Sequence, residues 1–203
     1  MDARTCLQKM KLVGTLAMAT VDEEGCPQIR CVSAVHYEPD AVYFFTARGK
    51  EMALQLMRDG RLQTMVHTRF NEMIRMNGIA APAPAEEQEK WMDIIFEEQP
   101  YLANVYPGET RSIGIIFKVS SIVLDYFNLG VKPIERGVYP LGGKPARHKG
   151  FRITDACIGC GTCLSVCPQA CIIPGDVYEI QPEHCLHCGA CAENCPTGSV
   201  ERL

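Results

Sequence analysis

No G-x-G-x-x-G run opens a helix after a strand in this sequence, which argues against a built-in nicotinamide domain. No apolar stretch is long enough to span a bilayer. Neither sign of charge is in large excess: 20 Lys and Arg stand against 24 Asp and Glu, for a net charge of −4. Nor does a broad basic face with interleaved aromatics mark a nucleic-acid surface. An export signal is not expected either. Lys9 and Lys11 ahead of Leu12 to Val21, with Ala17-Met18-Ala19 inside, imitate one superficially. Gly14 and Thr15 break that stretch, however, and it runs into Asp22-Glu23-Glu24-Gly25, which reads as a turn. A first strand is therefore expected there, in a soluble, cytoplasmic protein that contacts neither membrane nor nucleic acid.

Cysteine is what the chain has in abundance. Eight of its 12 cysteines fall in the last quarter as one spacing written twice: Cys157-x2-Cys160-x2-Cys163-x3-Cys167-Pro168, then Cys185-x2-Cys188-x2-Cys191-x3-Cys195-Pro196. Each has its copy 28 residues later. A short turn with three thiolates two residues apart can wrap one corner of a cubane cluster and leave backbone N–H groups facing the sulfurs, while a fourth ligand comes from elsewhere. Two zinc sites would need only the outer pairs and would leave the middle cysteines and the Cys-Pro dipeptides without a purpose. A disulfide framework would need an oxidising compartment.

The repeated run resembles the bacterial ferredoxin that carries two [4Fe–4S] clusters. That resemblance implies crossed ligation, in which the cysteine before proline serves the other cluster. One site is then Cys157, Cys160, Cys163 and Cys195, and the second is Cys185, Cys188, Cys191 and Cys167. Crossing ties together a segment, residues 152–203, that is too short to rely on a large apolar core. Cys171, a ninth cysteine in this segment, is expected to be a small apolar filler. His184 and His187 flank a ligand and are expected to be solvated or capping side chains.

Charge locates a boundary. Residues 152–203 hold Arg152 and Arg202 against Asp155, Asp176, Glu179, Glu183, Glu193 and Glu201, so the net charge of −4 belongs to this segment and the rest is balanced. Between the two parts, residues 131–151 contain prolines at 133, 140 and 145, glycines at 137, 142, 143 and 150, and Lys132, Arg136, Lys144, Arg147 and Lys149 against Glu135 alone. This stretch reads as a basic linker with local turns. Its charge could lie against the acidic segment, receive an acidic partner, or simply be solvated. The expected organisation is thus 1–130, linker 131–151, and 152–203.

In the first part, β-branched and aromatic residues predict strands over Leu12–Val21, Gln28–Tyr37 and Ala41–Thr46. Met52, Ala53, Leu56 and Met57 fall on one face of a helix over Gly49–Arg58. Strands follow over Arg61–His67 and Met73–Ala80, then a charged helix over Ala85–Glu98 after Pro82-Ala83-Pro84. Two last strands cover Ser112–Val119 and Ile122–Phe127. Six or seven strands with two helices suggest a small β-barrel.

The order GTLAMATVDEEGCPQIRCVSAVHYEPDAVYFFTARGKEMALQLMRDGRLQTMV resembles the pyridoxamine 5′-phosphate oxidase-like family over about residues 5–127. The resemblance implies a mostly β, FMN-binding split barrel that forms a homodimer with flavin at the subunit interface, followed here by a C-terminal α+β ferredoxin-like two-cluster domain. Carried over residue by residue, it implies Arg30, Thr46 and Lys50, with Arg48, around the flavin phosphate and ring. Cys31, Val32 and Ser33 would lie beside the isoalloxazine edge. Independently, Thr46-Ala47-Arg48-Gly49-Lys50 leaves a strand and enters a helix, a junction where basic side chains and free N–H groups can hold an anion. The basic residue expected near the end of the second strand is missing around Ala34-Val35-His36, and the segment that completes the B6 site is replaced. A vitamin B6 substrate is therefore not expected, and no catalytic acid or base is assigned.

Iron–sulfur clusters pass single electrons, whereas FMN takes one or two. The combination implies a flavin-dependent oxidoreductase that couples two [4Fe–4S] clusters to FMN chemistry on a small substrate, served by a redox partner protein in an anaerobic setting. An electron carrier or sensor without a substrate, and a split barrel holding haem or the deazaflavin F420, are the alternatives.

Overall fold

The computed structural model describes residues 1–141 and 149–203, so Lys144, Pro145 and Arg147 of the expected linker lie outside the described residues. Two compact units are present. The first is built from Met1–Thr68, Ile74–Leu124 and a return from Tyr139; the second from Arg69–Met73, Asp125–Val138 and the C-terminal stretch ending at Leu203.

The chain begins with α1 (Ala3–Val13), and this overturns the expectation that a strand starts at Leu12. Asp2 caps the helix by accepting from Thr5 N at 2.7 Å, and Gly14, at φ +80°, ends it by returning its N–H to Met10 O. Cys6, Leu7 and Met10 share the buried face. The strand proper, β1 (Leu16–Val21), pairs antiparallel with β2 (Pro27–Val32), Leu16 opposite Val32 and Val21 opposite Pro27.

The expected strand Gln28–Tyr37 is two strands. After β2 the chain bends at Ser33, whose carbonyl accepts from Val35 N at 2.9 Å, and β3 (Val35–Tyr37) pairs with β4 (Val42–Ala47) instead of β1. The bend exists because the two strands serve different neighbours, and it leaves residues 31–34 at an opening in the sheet. After β4 come α2 (Glu51–Arg58), β5 (Arg61–His67), β6 (Glu72–Pro82), α3 (Gln88–Glu98), α4 (Leu102–Val105), β7 (Gly114–Asn128) and β8 (Glu135–Pro140).

The sheet order is β2-β1-β5-β6-β7-β4-β3, with β8 on β7. In the first unit, Phe44 stacks on Phe117, while Tyr43, Phe45, Trp91, Met92, Ile95 and Ile116 form an apolar cluster under α3. Burial of this kind contributes about 1.5–3 kcal/mol per large side chain. This is the mostly β barrel expected of the first domain. β7 is one strand where two were expected: Ser121 takes φ +51°, so the polar Ser120-Ser121 pair kinks the strand without ending it. β8 is a strand inside the stretch expected to be linker.

The C-terminal part of the second unit is loops with short elements: β9 (Phe151–Ile153), α5 (Thr162–Val166), β10 (Ile172–Ile173), β11 (Glu179–Ile180), α6 (Ala190–Glu193) and β12 (Val200–Arg202). β12 pairs with β9 and β10 with β11, both antiparallel. The sequence repeat is also a conformational repeat. Gly161 and Gly189, 28 residues apart, both precede a short helix at φ +78° and +87°. Gly159 at φ +67° is matched by His187 at φ +59°, a non-glycine residue in the left-handed region. Among the described residues no helix is long and apolar enough to cross a membrane.

Candidate functional site

In the first unit, an open groove of about 1000 Å³ is lined by Arg30, Cys31, Val32 and Ser33 from β2 and the bend after it, and by Phe45, Thr46, Lys50, Glu51 and Met52 from β4 and the start of α2. Arg30 is fixed from beneath. Its guanidinium donates to Thr20 Oγ1, to Gln28 O at 3.1 Å and to Gln55 Oε1 at 2.9 Å, and Thr20 itself donates to Gln55 at 2.5 Å. Partial burial pulls the Arg30 pKa down from its ordinary value. Lys50 stands at the N-cap of α2, where its side chain makes no capping bond. The groove floor thus carries a fixed guanidinium, an ammonium and the positive end of a helix, an arrangement suited to an anion.

Six of the seven residues expected at a flavin site line this one groove: Arg30, Cys31, Val32, Ser33, Thr46 and Lys50. Arg48 does not. Its guanidinium donates to Ser112 O at 2.6 Å and Gly114 O at 2.8 Å, which ties the end of β4 to the start of β7, and it lines a different cavity with Gln88 and Met92. Sequence reasoning missed the opposite wall. Tyr101, Leu102, Val105 and Tyr106 line the groove from α4 and its flanks, and Tyr101 OH lies 2.7 Å from Ser33 Oγ. Their spacing after Pro100 places them on one face of a helical turn, a signal present in the sequence but short enough to pass for a loop.

In the second unit, eight thiols separate into two sets of four. Cys157, Cys160, Cys163 and Cys195 line one small hollow; Cys167, Cys185, Cys188 and Cys191 line another, joined by Cys171. In each set three cysteines come from one loop and helix start, and the fourth comes from the Cys-Pro of the other copy. Among the described residues, no three His, Cys, Asp or Glu side chains converge on a single-ion position. The thiols stand around a space, not a point.

Donors face several of the sulfurs. In the first set, Ser199 N donates to Cys195 Sγ at 3.3 Å, Thr197 Oγ1 lies 3.5 Å from the same sulfur, and Thr162 Oγ1 lies 3.4 Å from Cys160 Sγ. The Thr197 hydroxyl, with backbone N–H groups, brings the Cys195 thiol down to about 7, and Thr162 lowers Cys160. Burial raises Cys163 and Cys191. In the second set, His187 N donates to Cys185 Sγ at 3.4 Å.

Both histidines beside Cys185, expected to be solvated or capping side chains, are bonded to residues 134–136. His184 Nδ1 donates to Ile134 O at 2.9 Å, while Ile134 N donates to Gln169 Oε1 at 3.0 Å. His187 Nδ1 accepts from the Arg136 guanidinium. Burial and the Arg136 charge push the His187 pKa down to about 4, so its ring is neutral. Residues 134–136, expected to be linker, are bonded to this loop.

Residues 5–114, more than half of the chain, match the model of the pyridoxamine 5′-phosphate oxidase family. The chain belongs to that family. Residues 156–199 match the 4Fe–4S dicluster domain, so this family member carries a ferredoxin-type module after its barrel. A ferredoxin of Butyribacterium methylotrophicum is 50 % identical over 30 residues, 15 % of this chain and 54 % of that protein, so the chain spans about half the length of that curated relative. Among solved structures, a NimC/NimA family protein of Clostridium acetobutylicum superposes with a TM-score of 0.56 at 18 % identity, covering 68 % of this chain and 91 % of its own. A pyridoxamine 5′-phosphate oxidase-related, FMN-binding protein of Nostoc punctiforme gives 0.52 at 17 %, covering 67 % and 86 %. At such identities these likenesses establish the split-barrel fold of the first unit. Together, the family and the dicluster domain make this a redox protein.

Proposed function

We propose that the chain is an oxidoreductase in which two [4Fe–4S] clusters, held by the crossed cysteine sets, exchange electrons with FMN bound in the Arg30–Lys50 groove, and that the flavin acts on a small substrate. The observation that carries the reading is the partition of eight thiols into two four-cysteine cradles on a chain whose barrel also offers an anion-binding groove. When bound, the clusters supply one-electron transfer and the flavin supplies both one- and two-electron chemistry.

The residues fit these groups. Each cradle offers four thiols with N–H or hydroxyl donors turned toward sulfur, which suits a thiolate-bound cluster. In the groove, Lys50 and the first turn of α2 would neutralise a phosphate, and Arg30 is held in place for the same charge by Thr20 and Gln55. The β2 edge from Cys31 to Ser33 would border the ring system. Tyr101, Leu102, Val105 and Tyr106 would exclude water from its outer side, and the Ser33–Tyr101 hydroxyl pair would offer a hydrogen-bonding group at that edge. A homodimer sharing the flavin across its interface is part of this reading, as is a protein partner that supplies or removes electrons at the ferredoxin-type module.

Anaerobic purification with an absorbance spectrum, an iron count and the mass of the acid-released cofactor tests it. About eight iron atoms and one FMN per chain are expected. Stoichiometric zinc without iron, or F420 or haem in place of FMN, would overturn the corresponding part.

A further inference from the structure

The two halves of the cysteine repeat share a left-handed backbone position between the first and second cysteine of each loop but fill it with different residues. The first copy has Gly159, at φ +67°; the second has His187, at φ +59°. An L-residue is disfavoured in the left-handed region, so the imidazole sits there against the conformational preference. What it gains is a fixed cation. Arg136 donates from Nη1 to His187 Nδ1 and lays its guanidinium over the Phe127 ring, 4.9 Å from the centroid. On the other side the ring packs on Gly150, where a Cβ would lie 2.7 Å from His187 Nε2. Because arginine only donates, Nδ1 must accept, and the pair carries one positive charge, on Arg136.

That charge is held against the loop whose sulfurs are Cys185 and Cys188, and the His187 N–H itself reaches Cys185 Sγ. Lys149 and Arg202 add positive charge at the same ring, and Asp125 is the carboxylate that acts against them. At the matching position of the other cradle, Gly159 has no side chain to recruit a cation; the neighbouring contact is the Tyr178 hydroxyl, which donates to Gly159 O at 3.1 Å. The positive charge recruited by the loop is therefore a property of one cradle.

A cluster bound by four thiolates becomes one unit more negative when it accepts one electron. A cation fixed nearby favours that reduced form, and net charge with hydrogen bonding sets cluster potentials. We propose that Arg136, clamped on His187, selectively raises the reduction potential of the cluster held by Cys167, Cys185, Cys188 and Cys191. Arg136 is thus a positioning residue for electron transfer, supplied by β8 from the stretch that reads as linker. The inference rests on the cluster reading above.

The test is an anaerobic redox titration of the iron-loaded, full-length protein with dithionite as the electron source, followed by electron paramagnetic resonance, alongside an iron count. Arg136→Gln should move one of the two midpoints to more negative potential and leave the other in place, with eight iron atoms retained. Arg136→Lys should restore part of the shift. His187→Gly, which recreates the glycine of the first copy and suits the left-handed backbone, should reproduce the Arg136→Gln shift by releasing the cation. Two unmoved midpoints in both Arg136→Gln and His187→Gly at full iron content would overturn the inference while leaving the cluster reading intact, as would two midpoints that move together. If Arg136→Gln does not fold, His187→Gly decides alone. Wild-type protein without iron would overturn the cluster reading itself, and the inference with it.

Discussion

Cys171 Sγ lies 3.6 Å from Cys167 Sγ, so the ninth cysteine of the ferredoxin-type module is in contact with a proposed cluster ligand. Burial, with the neighbouring Cys167, pushes the Cys171 thiol up to about 12, which keeps it protonated. It is a buried filler, as its size suggests, and also a weak donor to a sulfur. Cys171→Ala should therefore keep the full iron count and cost about 1 kcal/mol or less of stability, the scale of a small core truncation. Loss of half the iron in this variant would show that Cys171 is itself a ligand.

The groove takes Arg30 and Lys50 but leaves out Arg48, although Arg48 and Lys50 are two residues apart in the sequence. Lys50→Ala should weaken FMN binding by about 1.5–3 kcal/mol, the value of a hydrogen bond to a charged group, which is roughly ten- to a hundredfold in Kd. Arg30→Ala should weaken it comparably and also lower the melting temperature, because the buried Thr20 and Gln55 lose a hydrogen-bond partner. Arg48→Ala should leave FMN affinity within about twofold, on the order of 0.4 kcal/mol, since its guanidinium is spent on Ser112 O and Gly114 O. Fluorescence titration of flavin-depleted protein and thermal melts of the same samples check all three. Wild-type affinity in both Lys50→Ala and Arg30→Ala would mean that the phosphate binds elsewhere.

A pH dependence follows from the contact between α1 and α3. Lys11 Nζ lies 2.8 Å from Glu98 Oε1, and His36 Nδ1 donates to Glu98 Oε2 at 2.9 Å. Burial acts to raise the Glu98 pKa, but the bonds from Lys11 and His36 outweigh it and hold the carboxyl below its ordinary value. A group with a folded pKa below its unfolded one stabilises fully above the unfolded value and loses that contribution as pH falls through the folded value. Denaturant melts from neutral pH into the acid range should show wild type falling toward Glu98→Gln, the gap closing as the carboxylate protonates. A gap that stays constant across that range would contradict the assignment.

Much of the site was legible because it is written in one dimension. Metal-ligand spacing survives any fold, and the repeat of 28 residues marks the eight thiols, whose crossed partition is what the ferredoxin resemblance implies. The junction at Thr46–Lys50 was legible as a local run that leaves a strand and enters a helix, whereas the strand edge at Arg30–Ser33 came from the family resemblance. What escaped depends on neighbours distant in sequence. Arg48 shares the basic run with Lys50, but its direction is decided by carbonyls more than 60 residues away, at Ser112 and Gly114. The wall from Tyr101 to Tyr106 sits on a helix of four residues, whose single turn of periodicity is short enough to pass for a loop. α1 resembles the start of an apolar strand because Lys9, Lys11 and Leu12 mask the buried face made by Cys6, Leu7 and Met10. Proline and glycine in residues 131–151 pointed to a linker, while the contacts of Ile134 and Arg136 with His184 and His187 made part of it structure.

The central claim is that electrons pass between the crossed cysteine sites and the flavin, and one measurement addresses it directly. Wild type, Cys195→Ser and Cys167→Ser are prepared anaerobically with their FMN, and flavin reduction is followed in stopped flow after mixing with a one-electron donor of ferredoxin-like potential. Iron spectroscopy of the same samples should show Cys195→Ser damaging the site of Cys157, Cys160 and Cys163, and Cys167→Ser damaging the site of Cys185, Cys188 and Cys191, with flavin content unchanged. Both variants should lose rapid flavin reduction, a drop on the order of tenfold or more, as when about 1.4 kcal/mol is added to a barrier. Wild-type reduction rates in both variants, with one cluster site damaged in each, would contradict the claim and leave the clusters a role apart from the flavin.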